Sequence, residues 1–110
     1  MPRRIVRRDL NHRLIAEIWK ACGWHVLDTA WAGQYVSGWP DLICTRWPLT
    51  VWIECKAPDE KLREDQAAFA ADIDAPCLVC RSAQDAQQQA EKWRDLADFY
   101  AQFSVFVKEP

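Results

Sequence analysis

The chain has 110 residues, half of them hydrophobic, with seven tryptophans and a formal net charge of −2. That length suits one domain around one core, and the apolar share excludes a disordered chain. No apolar run approaches the ~18 residues needed to span a bilayer and no basic stretch leads into a signal-type hydrophobic core, so the expected setting is the cytoplasm, without a membrane partner.

The first segment is a basic arm at about 1–8. Arg3, Arg4, Arg7, Arg8 and Arg13 are opposed in the first thirteen residues only by Asp9, a balance of +4. Nine Lys/Arg against fifteen Asp/Glu leave −6 on the remainder. A basic arm on an acidic body suits contact with a phosphate backbone, and the plainer alternative is a solvated terminus. Residues 9–22 read as a helix, with Leu10, Leu14, Ile15, Ile18, Trp19 and Cys22 at three- and four-residue spacing and Gly23 as its stop. At about 100° per residue Asn11 falls near the centre of that apolar face, between Leu14 and Ile18, and Glu17 at its flank.

Residues 24–28 are expected as a first strand and 30–40, with Gly33, Ser37, Gly38 and Pro40, as a loop. A short strand at 42–45, a turn at 47–50 and a strand at 51–56 form an expected hairpin. Pro58 ends that last strand, because proline cannot donate to a ladder. A helix is expected over 60–72 with Leu62, Gln66, Phe69 and Ile73 on one side, then an apolar strand at 77–81. Ser82 is a good N-cap for a helix running to about 101, and 103–107 reads as a final strand, a swapped strand or an apolar tail. The order α-β-β-β-α-β-α indicates a single α/β domain, residues 1–110, in which helices flank a mixed central sheet.

The chemistry lies in Gly38-Trp39-Pro40-Asp41 and in Val51-Trp52-Ile53-Glu54-Cys55-Lys56. Burying a charge is costly unless it is paired, coordinated or used, yet Glu54 and Lys56 interrupt a run that otherwise reads as a buried strand. With a period of two, Trp52, Glu54 and Lys56 share one face and Val51, Ile53 and Cys55 the other. Asp41 opens the adjacent strand, and paired strands lie about 4.8 Å apart, so Asp41 and Glu54 can converge with Lys56 beside them. Two carboxylates and a backbone carbonyl, most simply that of Cys55, suit a hard cation such as Mg²⁺ or Mn²⁺. Such an ion lowers the pKa of bound water and neutralises charge on a phosphate. A neighbouring lysine stabilises the negative charge of the transition state. The bland alternative makes Asp41 a turn residue and Glu54 with Lys56 a solvent-facing pair.

The spacing Pro40-Asp41 … Glu54-Cys55-Lys56 resembles the PD-(D/E)xK nuclease superfamily. Gly38-Trp39-Pro40-Asp41-Leu42-Ile43, Glu54-Cys55-Lys56-Ala57-Pro58, Lys61-Leu62 with Gln66, and residues 77–81 are most similar to its VRR-NUC branch, including small phage-type members. The likeness covers about 9–86, a core shared with archaeal-type Holliday-junction resolvases, and implies a restriction-endonuclease-like fold. It implies Asp41, Glu54 and the Cys55 carbonyl as ligands of Mg²⁺ or Mn²⁺, Lys56 as catalytic lysine, and Gln66 as a supporting polar group. Many relatives supply an acid from the first helix. Here Asn11 holds that place, with Glu17 ranked below it, which puts a second metal in doubt.

Around that set, Gly38 is read as supporting the site. Ser37, Gly38, Gln34 and Tyr35 lie where backbone amides approach a phosphate, and Trp39, Trp31 and Tyr35 are candidates for base stacking or for plain loop packing. The expectation is a metal-dependent DNA endonuclease of a bacterial or phage-infected cell, selective for branched DNA. It is expected to act as a homodimer, with Phe99, Tyr100 and 103–107 a candidate interface. Two alternatives stand beside it. One is a DNA-binding module with weakened catalysis. The other is a zinc or redox protein using Cys77 and Cys80, although residues three apart on a strand face opposite ways.

Overall fold

The computed structural model describes residues 3–103; the side chains of residues 1–9 lie outside the description. Chain order is helix α1 (Arg3–Ala21), strand β1 (His25–Asp28), a 3₁₀ turn (Ala30–Gln34), β2 (Leu42–Arg46), β3 (Leu49–Cys55), α2 (Glu64–Asp72), β4 (Cys77–Cys80) and α3 (Ala83–Ala101). The four strands form one mixed sheet in the order β1-β2-β3-β4, antiparallel except for the parallel β3/β4 pair. α2 is the crossover between the two parallel strands, which a hairpin could not join.

The alternation of β3 assigns the layers. Val51, Ile53 and Cys55 are buried with Ile15 and Trp19 of α1, Cys22 just after it, and Ala86, Ala90 and Ala97 of α3 in one core, and α1 packs on α3. The small residues of α3 let the two helices lie close beneath the sheet. Trp24 closes this layer, its Nε1 donating to the Ala90 carbonyl at 3.0 Å and its ring meeting Trp19 edge-on at 5.1 Å. On the opposite face Trp52 meets Phe69 of α2 and Trp39 of the loop, with centroids 5.2–5.8 Å apart. The result is an α/β/α arrangement in which Glu54 faces α2.

Three expectations change. α1 starts at Arg3 rather than at 9, so residues 3–8 of the expected arm are helical in backbone. Its buried stripe is Ile15, Ala16, Trp19 and Cys22, whereas Leu10 and Leu14 are exposed, because α3 covers the helix from one side only and leaves their side open. α2 starts at Glu64 rather than at 60. Residues 57–60 are held out of the helix by the Arg81 guanidinium, which donates to the carbonyls of Ala57 and Glu60, and by Glu60 Oε1, which accepts the Ala57 N–H at 3.0 Å. Ser82 does cap α3, its Oγ accepting the Asp85 N–H at 3.1 Å. Of the expected 103–107 segment only Phe103 is described, exposed beyond α3; the remainder lies outside the described residues.

Candidate functional site

Among the described residues, the buried polar and charged side chains are Asp41, Glu54, Lys56 and Gln66, each 8% exposed or less. Spacing along the chain selects Asp41, Glu54 and Lys56, the family resemblance adds Gln66, and the four come from three segments. Asp41 sits just before β2. Its N–H donates to the Ile53 carbonyl at 3.0 Å and its own carbonyl accepts the Thr29 N–H at 2.8 Å, so the residue is stitched between β3 and the end of β1. Its Oδ2 accepts the Cys55 N–H at 2.8 Å. The hairpin register, Leu42 opposite Ile53, brings Asp41 alongside Glu54.

Glu54 Oε1 accepts a hydrogen bond from Gln66 Nε2 at 3.1 Å, while Gln66 Oε1 accepts the Arg63 N–H at 3.0 Å. One amide therefore caps α2 and fixes the carboxyl. Burial pushes the Glu54 pKa up, and the charge of Asp41 and a hydrogen bond to it push the same way; Lys56 and Arg63 offset this only in part. Lys56 extends the pairing of β3 with β4, its N–H donating to the Cys80 carbonyl at 3.0 Å. Its Nζ lies 3.6 Å from Glu60 Oε2.

This donor set fits a hard cation. Asp41 and Glu54 offer carboxylate oxygens in one buried volume, and the nearby fixed cations leave the Glu54 charge under-compensated, which a bound ion would relieve. The Cys55 carbonyl remains the third expected oxygen.

Asn11 reaches the site in another role. Its Nδ2 donates to the Lys56 carbonyl at 2.8 Å and so anchors the chain end of β3 to α1. Glu17 is exposed and bonded to Lys20. Gly38 is buried with φ +81°, and a Cβ there would meet the Asp65 carbonyl oxygen at 2.1 Å. It lets the loop close onto the first turn of α2, where Ser37 Oγ donates to Asp65 Oδ2 at 3.0 Å. Trp39 spends its ring on Trp52 and Phe69, whereas Trp31 and Tyr35 are exposed. The side chains of Arg3, Arg4, Arg7 and Arg8, expected at DNA, lie outside the described residues.

Two residues were missed. Glu60 beside Lys56 was read as helix. His12 carries no role in the sequence reading, yet a ring nitrogen of His12, an oxygen of Asp41 and the Cys55 Sγ lie within 4.8 Å of one another. The period of α1 alone would have found it, since Ile15, Ala16 and Trp19 place His12 on the buried side. Cys77 and Cys80 are free thiols, half-buried and buried. Burial pushes both pKa values up, that of Cys80 to about 12, opposite to what a reactive thiolate needs.

The chain matches no protein-family model, no curated protein and no solved structure. Among the described residues, no helix is long and apolar enough to cross a membrane.

Proposed function

We propose that the protein is a PD-(D/E)xK-type nuclease of the VRR-NUC kind, a Mg²⁺- or Mn²⁺-dependent endonuclease that hydrolyses DNA phosphodiester bonds. The observation that carries this reading is the restriction of buried polar side chains, among the described residues, to Asp41, Glu54, Lys56 and Gln66. A purely structural domain has little reason to bury two acids, a lysine and an amide together.

Asp41 and Glu54 would hold the cation with the Cys55 carbonyl. The ion would supply charge neutralisation at the phosphate and a more acidic bound water. Lys56 presents its ammonium from a side chain only 1% exposed, fixed in place by Glu60 at 3.6 Å. Preorganised in that way, it stabilises the negative charge that develops on the phosphoryl oxygens. Gln66 holds the Glu54 carboxyl in one orientation, and Asn11 holds the backbone from which Lys56 springs.

Branched DNA is the proposed substrate and a homodimer the proposed form. Phe99, Tyr100 and Phe103 are exposed at the end of α3 with ring centroids 5.1–5.8 Å apart, an apolar patch suited to a twofold contact.

The test is cleavage of labelled four-way-junction, flap and linear duplex DNA with Mg²⁺, Mn²⁺ or EDTA, comparing wild type with Lys56→Ala. Metal-dependent cutting that is lost in the variant while binding survives supports the reading. Salt-sensitive binding with no cutting of any substrate would favour the DNA-binding module instead.

A further inference from the structure

The ligands assigned so far are all oxygens and leave one side of Asp41 unused. On that side stands α1, and the residue it presents is His12. Its side chain is 19% exposed, and Nε2 lies 2.9 Å from Asp28 Oδ2. Asp28 thus engages Nε2, which leaves Nδ1 as the other ring nitrogen available to a ligand. A carboxylate that holds one nitrogen of an imidazole is the usual support of a metal-ligating histidine. A ring nitrogen, an Asp41 oxygen and the Cys55 Sγ lie within 4.8 Å of one another, close enough to share one ion.

We infer that His12 is a metal ligand, completing the Asp41 site from α1 with a nitrogen where an acid would otherwise stand, and that the site consequently prefers Mn²⁺ to Mg²⁺. The inference rests on the proposed metal site at Asp41 and Glu54, and adds to it the donor atom and the ion. Imidazole suits transition metals, whereas Mg²⁺ favours an all-oxygen shell. If Glu54 joins Asp41 on the ion, the hard end of the transition series is favoured over the soft, thiolate-seeking ions. Cys55 Sγ lies within the same 4.8 Å, and cobalt substitution decides whether it is outside the shell. A groove of about 440 Å³ between α1 and β1, lined by His12, Arg13, Ala16, Glu17, Lys20 and Asp28 among others, brings solvent to the imidazole.

The decisive measurement needs neither DNA nor a variant. Mn²⁺ is added to the full chain, unlabelled and with ¹⁵N-labelled histidine, and the electron spin-echo modulation of the bound ion is recorded. The expected result is a nitrogen modulation that switches isotope with the label and disappears in His12→Ala. Alongside it, calorimetric Mn²⁺ affinity falls on the order of tenfold or more in His12→Ala, against a smaller change for Mg²⁺. His25, at the far end of β1, is the control: His25→Ala retains the modulation.

Bound Mn²⁺ without histidine modulation in the wild type would overturn the inference and leave the nuclease reading intact. A thiolate-to-Co²⁺ charge-transfer band on cobalt substitution would place the ion on Cys55 and overturn the assigned ligand set. Failure of the wild type to bind Mn²⁺ at all would overturn both this inference and the metal site on which it rests.

Discussion

Glu54→Gln replaces a buried titrating carboxyl by a neutral amide of the same shape. Burial, then the charge of Asp41, raise the Glu54 pKa above its ordinary 4.5. A carboxyl raised on folding binds its proton more tightly in the folded chain. Its contribution is therefore fully present below 4.5 and is lost as pH climbs towards the folded value. The slope is about 1.4 kcal/mol per pH unit, so the metal-free protein loses up to about 3 kcal/mol from this group by about pH 7. Glutamine keeps the acceptor for Gln66 and mimics the protonated acid towards Asp41. Urea unfolding in EDTA at about pH 5, 6 and 7 should show wild type losing stability with pH relative to Glu54→Gln. By neutral pH the variant should be the more stable, by roughly 1–3 kcal/mol. Saturating Mg²⁺ reverses the order, since ion at a hundredfold over Kd stabilises the wild type by about 2.7 kcal/mol and has little to bind in the variant. Parallel pH profiles for the two proteins would refute the reasoning, because they would mean that Glu54 is not held in a like-charged, desolvated pair.

Gly38→Ala places a Cβ 2.1 Å from the Asp65 carbonyl oxygen at a φ of +81°. Denaturant midpoints should report a loss of more than about 1–2 kcal/mol, the cost of the left-handed backbone alone, and activity should fall as the first turn of α2 moves Gln66. Trp39 carries a buried Nε1 with no partner, so Trp39→Phe should be near neutral in stability, whereas Trp39→Ala should cost about 3–5 kcal/mol. Base stacking by Trp39 would show instead as weakened DNA binding in Trp39→Phe. Arg81→Ala frees the carbonyls of Ala57 and Glu60. It should cost about 1–3 kcal/mol in thermal unfolding and increase hydrogen exchange over residues 57–63.

Much of the site was legible because it rests on local rules. The period of two along β3 puts Glu54 and Lys56 on one face, and the short hairpin leaves Asp41 beside them with little freedom of register. Helical spacing put Gln66 on one face with Phe69, but its place at the site came only from the family resemblance. The failures involve long-range partners. α2 begins late because Arg81, some twenty residues onward, captures its expected first turn. Leu10 and Leu14 match an apolar stripe in sequence, but burial was decided by where α3 lies, which no pattern within α1 reveals. Trp39 could not be assigned to packing until Trp52 and Phe69 were seen to meet it across three separate segments. His12 lies on the stripe of Ile15, Ala16 and Trp19, and only the position of α3 separates that buried stripe from the open leucine side of the helix.

The central claim is that Asp41, buried at the junction of both strands and the helix, holds the ion that makes the chain a nuclease. Single-turnover cleavage of a labelled junction by wild type and Asp41→Asn, titrated with Mn²⁺ and with EDTA, tests it most directly. The account predicts cutting that rises with Mn²⁺ and is abolished by EDTA. It also predicts at least a hundredfold loss, on the order expected for removing a principal electrostatic contributor, in Asp41→Asn at unchanged DNA affinity. Cutting by Asp41→Asn at the wild-type rate, or cutting indifferent to EDTA, would contradict it.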